Sequence, residues 1–215
     1  MPTSHQHLQR LWFAIPALLL GQGVLAVLVR TWPALHALDS RISSALAISP
    51  DSSFHSLVDG LTQLGSGRVV VPVLLMTVLV LWIKGYRKFA QSGVAGFLAA
   101  RIITDGLKRL VARPRPALHE LGYTPSGWDT LSFPSGHTTS ACYLYGFLLL
   151  VGIGFVRNPQ YRVLITSAVI LLVMTVGMSR VLLGEHFPSD VVGGLLSGSI
   201  GLLVARMIAD SRERG

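Results

Sequence analysis

Six apolar stretches, at about 11–29, 69–83, 89–111, 138–156, 163–183 and 191–209, divide this chain of 215 residues. A helix needs about 20 predominantly apolar residues to cross a bilayer, and this feature restricts the fold more than any other. The first stretch, "LWFAIPALLLGQGVLAVLV", covers about 28 Å at the helical rise per residue. It is longer than the apolar region of a secretory leader, and "VLVRTWP" lacks small residues at a cleavage site, so a retained span is expected. Composition agrees. Charged residues make up 13% and hydrophobic residues 51%, with a mean hydropathy of +0.57, whereas soluble domains carry about a quarter charged residues. The expectation is an all-α polytopic membrane protein of six transmembrane helices, with residues 1–215 forming a single domain. Cys142 is the sole cysteine and excludes an intrachain disulfide.

The net charge of +8 takes its meaning from where the charges fall. Lys84, Arg87 and Lys88 occupy one tight loop, Arg157 and Arg162 another, Arg10 precedes the first span, and Arg206, Arg212 and Arg214 end the chain. With six spans these segments share one face, which the positive-inside tendency makes cytoplasmic. Both termini are then expected inside the cell, with the protein in the plasma or inner membrane. The other face receives Asp39, Asp51, Asp59, Glu120, Asp129, Glu185 and Asp190. Its first segment, 31–67, contains "RISSALAISPDSSFHSLVDGLTQLGS" and is read as short amphipathic helices at the interface. Cytoplasmic loops and an anionic substrate account for the basic balance, so no nucleic-acid partner is expected. Arg113 and Arg115, on the acidic face, call for a reason beyond topology.

Three constellations gather on that outer face. The first is "KRLVARPRP", 108–116. It follows a span holding Arg101 and Asp105, which with Lys108 stand at i, i+4 and i+7 on one helical face. Ionisable groups inside a span generally face the bundle interior, and the pair Arg101–Asp105 is read as structural, holding the third span in register. The second is "PSGH", 134–137, just before the fourth span. Ser135 is a candidate helix cap, Gly136 permits close backbone approach, and a helix N-terminus favours anions. His137 sits in its first turn. The third is "SRVLLGEHFPSD", 179–190. It supplies Arg180, His186 and, one turn later, Asp190, a carboxylate able to fix the imidazole tautomer. Each motif alone is also consistent with a capped or dipole-stabilised helix end. Together they offer cations, a helix start, two histidines and a carboxylate, a set suited to phosphoryl transfer.

The three motifs match Lys-x6-Arg-Pro (Lys108 to Arg115-Pro116), Pro-Ser-Gly-His (134–137) and Ser-Arg-x5-His-x3-Asp (Ser179-Arg180, His186, Asp190). In this the chain resembles the type 2 phosphatidic acid phosphatase superfamily, which also includes the vanadium haloperoxidases. The resemblance implies that His186 is the nucleophile and Asp190 its orienting partner. His137 would be the general acid, with Lys108, Arg115, Arg180 and backbone N–H groups near Ser135 and Gly136 holding phosphate. It implies no metal and no cofactor. Arg109 and Arg113 lie outside the signature; the simpler reading has them facing water, and the alternative gives them a second phosphate or lipid headgroups.

A site at the membrane boundary favours a membrane lipid phosphate as substrate. By analogy, undecaprenyl pyrophosphate ranks first, then phosphatidylglycerophosphate or phosphatidic acid, with lipid A phosphates also represented among relatives. A lipid phosphotransferase would use the same residues. A transporter or scaffold is the contrasting class, but His186 and Asp190 fall at one face rather than at the midplane where transporter sites sit. Gly193, Ser197 and Gly201, with Gly194 and Gly198, form a small-residue stripe on the sixth span. It is read as packing within the bundle, with the oligomeric state left open.

Overall fold

The computed structural model describes residues 4–116 and 130–210. Glu120, Asp129, Arg212 and Arg214, named above, lie outside the described residues. The described chain is helical, with a lone antiparallel bridge between Pro114 and Leu131. Its α-helices are α1 (Ser4–Thr31), α2 (Pro33–Leu46), α3 (Ser53–Thr62), α4 (Gly67–Ile83), α5 (Arg87–Val111), α6 (Gly136–Gly152), α7 (Pro159–Leu182) and α8 (Pro188–Asp210).

Local chemistry sets these boundaries. Proline occupies the first turn of α2 and α7, where its missing N–H costs nothing. Ser52, Ser135 and Asn158 cap α3, α6 and α7 through their side chains. Gly85, at φ +83°, turns the chain between α4 and α5 in a conformation that favours glycine.

Five segments are long and apolar enough to cross a membrane: Phe13–Thr31, Ser53–Ile83, Gly136–Phe155, Pro159–Leu182 and Pro188–Asp210. The second joins α3, a 3₁₀ turn (Gln63–Gly65) and α4. The expected third span, α5, has 25 residues but falls outside this set because Arg101, Asp105, Lys108 and Arg109 interrupt its apolar character. Segment 31–67 contains the short helices α2 and α3, and α3 falls within the second membrane-length segment.

Helix α5 nevertheless runs through the middle of the bundle. Its buried face is Ala90, Gly93, Gly96, Ala100, Thr104 and Lys108, a row of small residues ending in a cation. Small side chains let helix backbones approach closely. A Cβ on Gly96 would lie 2.5 Å from the Gly201 carbonyl oxygen, and the reverse substitution meets the Gly96 carbonyl at 2.5 Å. The small-residue stripe of α8 thus packs inside the bundle, with Gly194 and Gly198 against α6 and Gly201 against α5. Tyr143 and Phe147 of α6 stack with ring centroids 5.9 Å apart, beside Val70, Leu74 and Leu81 of α4.

Candidate active site

Three chain segments meet at one end of the bundle. The first follows from the inward face of α5, whose last buried residue is Lys108. Its Nζ donates to the Leu131 carbonyl at 2.8 Å. Helix α5 then ends at Ala112, which is left-handed at φ +50°. The chain beyond is pinned by hydrogen bonds from Arg115 N–H to the Thr130 carbonyl and from Ser132 N–H to the Arg113 carbonyl, at 3.2 and 2.8 Å. Arg115 emerges half-buried and ion-paired to Glu185.

The second segment is the start of α6. Ser135 Oγ accepts from the Thr138 N–H at 3.4 Å and from the Thr138 hydroxyl at 2.9 Å, as expected of an N-cap. Its own N–H donates to the Asp190 carbonyl at 2.9 Å. The donors of this turn left to face an anion are therefore the N–H groups of Gly136 and His137, which precede the first intrahelical bond. The two helices approach this closely because Gly194 lies opposite; a Cβ there would be 2.7 Å from the Ser135 carbonyl oxygen. His137 is half-buried and lies in the field of Arg180, His186, Arg115 and Lys108.

The third segment is the turn joining α7 to α8. Gly184, at φ +67°, reverses the chain, and the N–H groups of Glu185 and His186 both donate to the Arg180 carbonyl, at 3.0 and 3.2 Å. The Arg180 guanidinium is buried, donates to Thr62 Oγ1 at 3.2 Å and lies 3.4 Å from Glu185. The Glu185 carboxylate thus lies between Arg115 and Arg180, the two arginines of the motifs.

His186 is 2% exposed and Asp190 fully buried. Asp190 Oδ2 lies 3.4 Å from His186 Nδ1, which is longer than a good hydrogen bond but close enough to orient the ring. The same oxygen accepts the Phe187 N–H at 2.8 Å, and Oδ1 accepts from Arg113 at 2.9 Å. Burial pushes the His186 imidazole down to about 4, against the opposing pull of Asp190. The ring is then neutral at pH 7, with one nitrogen toward Asp190 and the other holding a lone pair. All the motif residues, Lys108, Arg115, Ser135, Gly136, His137, Arg180, His186 and Asp190, therefore converge at this end of the bundle.

Two readings change. Arg113 does not face water. It is 5% exposed and is ion-paired with Asp39 at 2.8 Å and with Asp190 at 2.9 Å. Arg109, in contrast, is exposed. The Arg101–Asp105 pair, at 2.8 Å, closes within α5 and is more than a third exposed, and the Arg101 guanidinium lies beside Gly136 at the start of α6. Buried contacts from α5 to its neighbours are the Thr104–Thr139 hydroxyl contact at 3.1 Å and the Lys108 bond to the Leu131 carbonyl. Asp39 and Thr62 were not singled out as site residues, and little in their sequence context marks them. The available signal was charge balance, since a buried cluster of cations requires carboxylates from somewhere.

The sequence profile of the PAP2 superfamily matches residues 92–213, more than half of the chain and all three motifs. The chain belongs to this superfamily. Among its relatives is phosphatidylglycerophosphatase B of Bacillus subtilis (strain 168), 29% identical over 197 residues, covering 89% of this chain and 91% of that protein. Another is the putative undecaprenyl-diphosphatase YbjG of Escherichia coli (strain K12), 27% identical over 177 residues, covering 81% and 84%. The crystal structure of a transmembrane PAP2-type phosphatidylglycerolphosphate phosphatase from Bacillus subtilis superposes with a TM-score of 0.77. The match covers 93% of this chain and 98% of that one at 24% identity, a likeness that shows the fold. The fold and the membrane-length helices make this PAP2 chain a membrane protein.

Proposed function

We propose that this protein is a membrane lipid phosphatase that works through a phosphohistidine and needs no metal. The observation that carries the reading is the His186–Asp190 contact at 3.4 Å, inside a ring of cations formed by Lys108, Arg115 and Arg180. The neutral imidazole attacks phosphorus with the lone pair of its Nε2. The bond from phosphorus to the leaving oxygen breaks, and His137, which takes up a proton once the phosphate's negative charge offsets the surrounding cations, gives that proton to the leaving oxygen. Asp190 stabilises the charge left on the imidazole. Water then attacks phosphorus, losing a proton to His137, while the phosphorus–nitrogen bond breaks and returns the pair of electrons to His186. Lys108, Arg115, Arg180 and the N–H groups at the start of α6 meet the charge on the equatorial oxygens.

The substrate class follows from depth and from kinship. Relatives matched over most of their length are named for phosphatidylglycerophosphate and undecaprenyl diphosphate. A phosphate or pyrophosphate headgroup on a lipid tail fits a site at the end of membrane-length helices. Helix α5 is the sixth crossing in this reading. Its outward residues Leu98 and Ile102 are 53% and 71% exposed, which suits a lipid-facing surface, while its charges sit at its ends or toward the site. Six crossings place both termini in the cytoplasm and the site on the outer face.

The test is phosphate release by detergent-solubilised protein in EDTA from undecaprenyl pyrophosphate, phosphatidylglycerophosphate and phosphatidic acid in parallel. Release that survives EDTA and is lost in His186→Ala is expected. Activity that EDTA abolishes, or that His186→Ala retains, overturns the mechanism.

A further inference from the structure

Next to the site, on its buried side, lies a cluster that the three motifs do not include. Arg113 Nη1 donates to Asp190 Oδ1 at 2.9 Å and to Ser189 Oγ at 2.8 Å, and its Nη2 donates to Asp39 Oδ2 at 2.8 Å. The guanidinium lies 3.9 Å above the Phe187 ring, which also meets the His36 ring edge-on at 5.7 Å between centroids, and His36 Nδ1 lies 3.4 Å from Arg113 Nη2. Asp39 also accepts from the Ser189 hydroxyl, at 2.5 Å, and from the Ser189 N–H, at 3.1 Å. All four polar side chains are buried. Asp39 comes from α2, Arg113 from the chain beyond α5, and Ser189 and Asp190 from the first turn of α8.

From this juxtaposition we infer that Asp39 and Arg113 are positioning residues that aim Asp190 at His186 and set the charge the imidazole sees. This inference rests on the proposed phosphatase reading. The geometric part concerns rotation. A carboxylate held only by the Phe187 N–H can turn about its Cβ–Cγ bond; with Arg113 on Oδ1 it cannot, and Oδ2 stays directed at Nδ1. The electrostatic part concerns sign. Arg113 alone would neutralise Asp190 and cancel its support for a cationic or phosphorylated imidazole. Asp39 returns the trio to one net negative charge. The other charged and titratable groups near His186 are Lys108 on α5, Arg115 beyond it, His137 on α6, Arg180 on α7 and the adjoining Glu185, whose carboxylate is taken up by Arg115 and Arg180, while His36 of α2 faces Arg113 at 3.4 Å. The unit of negative charge at the nucleophile is therefore set by a residue of α2.

The experiment compares full-length wild type, Asp39→Asn, Arg113→Lys and Ser189→Ala in detergent. Asp39→Asn retains the shape and an acceptor but removes the charge. Arg113→Lys retains the charge but removes the fork, and Ser189→Ala tests the hydroxyl link if either of the others fails to fold. Per folded molecule, Asp39→Asn is expected to lose at least tenfold in kcat with KM changed less than twofold, because the phosphate clamps are untouched. Its acid limb of kcat should move to lower pH, since the imidazolium loses support. Arg113→Lys should lie between Asp39→Asn and wild type. A second readout needs no turnover: in protein with ¹⁵N-labelled histidine, the His186 signal is assigned by its absence in His186→Gln. Wild type should show the tautomer protonated at Nδ1 and Asp39→Asn a mixture. Wild-type kcat, acid limb and tautomer in folded Asp39→Asn and Ser189→Ala would overturn the inference. If wild type hydrolyses none of the lipids, the phosphatase reading fails, and the tautomer comparison still decides whether Asp39 positions Asp190.

Discussion

Acidification should destabilise this protein through His186, and the size of the effect follows from where that residue lies. The imidazole titrates at about 4 rather than 6.5, because burial disfavours its charge more than Asp190 supports it. The folded state therefore binds the proton less readily than the unfolded chain, and stability rises with pH across this window. Above about pH 6.5 the contribution is fully present; it is lost progressively as pH falls toward 4. Between pH 7.5 and 4.5 linkage gives a loss of roughly 2–3 kcal/mol, with no discount for solvent screening since His186 is 2% exposed. For a chain of this size that is a fall in Tm of roughly 5–10 °C. The measurement is thermal unfolding in detergent at both pH values for wild type and His186→Gln. Because other groups titrate in both proteins, the quantity of interest is the difference between their pH slopes. Equal slopes would refute the account of a neutral, buried His186.

Three further outcomes are expected. Glu185→Gln removes the carboxylate that lies between Arg115 and Arg180; the pair is partly exposed, with Glu185 at 39%, so inorganic phosphate should inhibit about two- to fivefold more tightly, in line with exposed ion pairs, as read from the inhibition constant. Gly194→Val forces side-chain atoms against the Ser135 carbonyl and the Thr138 side chain, within 2.8 Å; overpacking of this kind costs about 1–3 kcal/mol, and Tm should fall accordingly while an unchanged Tm would contradict the packing. Asp105→Asn breaks an exposed pair within one helix, so its effect on stability should stay below about 0.5 kcal/mol, with phosphate release unaltered.

The parts of the site legible in the sequence are those fixed by short spacing. Ser135 as a cap, Asp190 one turn beyond His186, and the small-residue stripe from Gly193 to Gly201 depend on helix periodicity, which local sequence reports directly. The Asp39–Arg113 link joins positions 74 residues apart, and no periodicity connects them. Arg113 was read as solvated because a basic run beside a span is commonly a surface feature; the left-handed Ala112 that ends α5 redirects the chain, and a non-glycine residue in that conformation is uncommon. The Arg101–Asp105 pair misled in the opposite direction. Its i, i+4 spacing does bring the charges together, but the same spacing satisfies each within its own helix. Apolar length located five of the expected spans, and α5 departs from the criterion because the residues that make it useful are charged.

The hydrogen bond from Ser135 N–H to the Asp190 carbonyl joins the turn carrying His137 to the turn carrying Asp190 through main chain alone. Apart from proline at 135, which lacks the N–H, a side-chain replacement leaves both the donor and the acceptor of that link in place, and the neighbouring Gly194 keeps the two turns in contact. The two histidine-bearing segments are thereby tied to each other, and in the proposed reading this spacing is the gauge for a single tetrahedral group. Differences among the tails attached to that group must be absorbed elsewhere, along the membrane-facing sides of the helices. In the proposed phosphatase reading, a change of lipid tail is met by those outward faces, while the spacing between the two histidines stays the same.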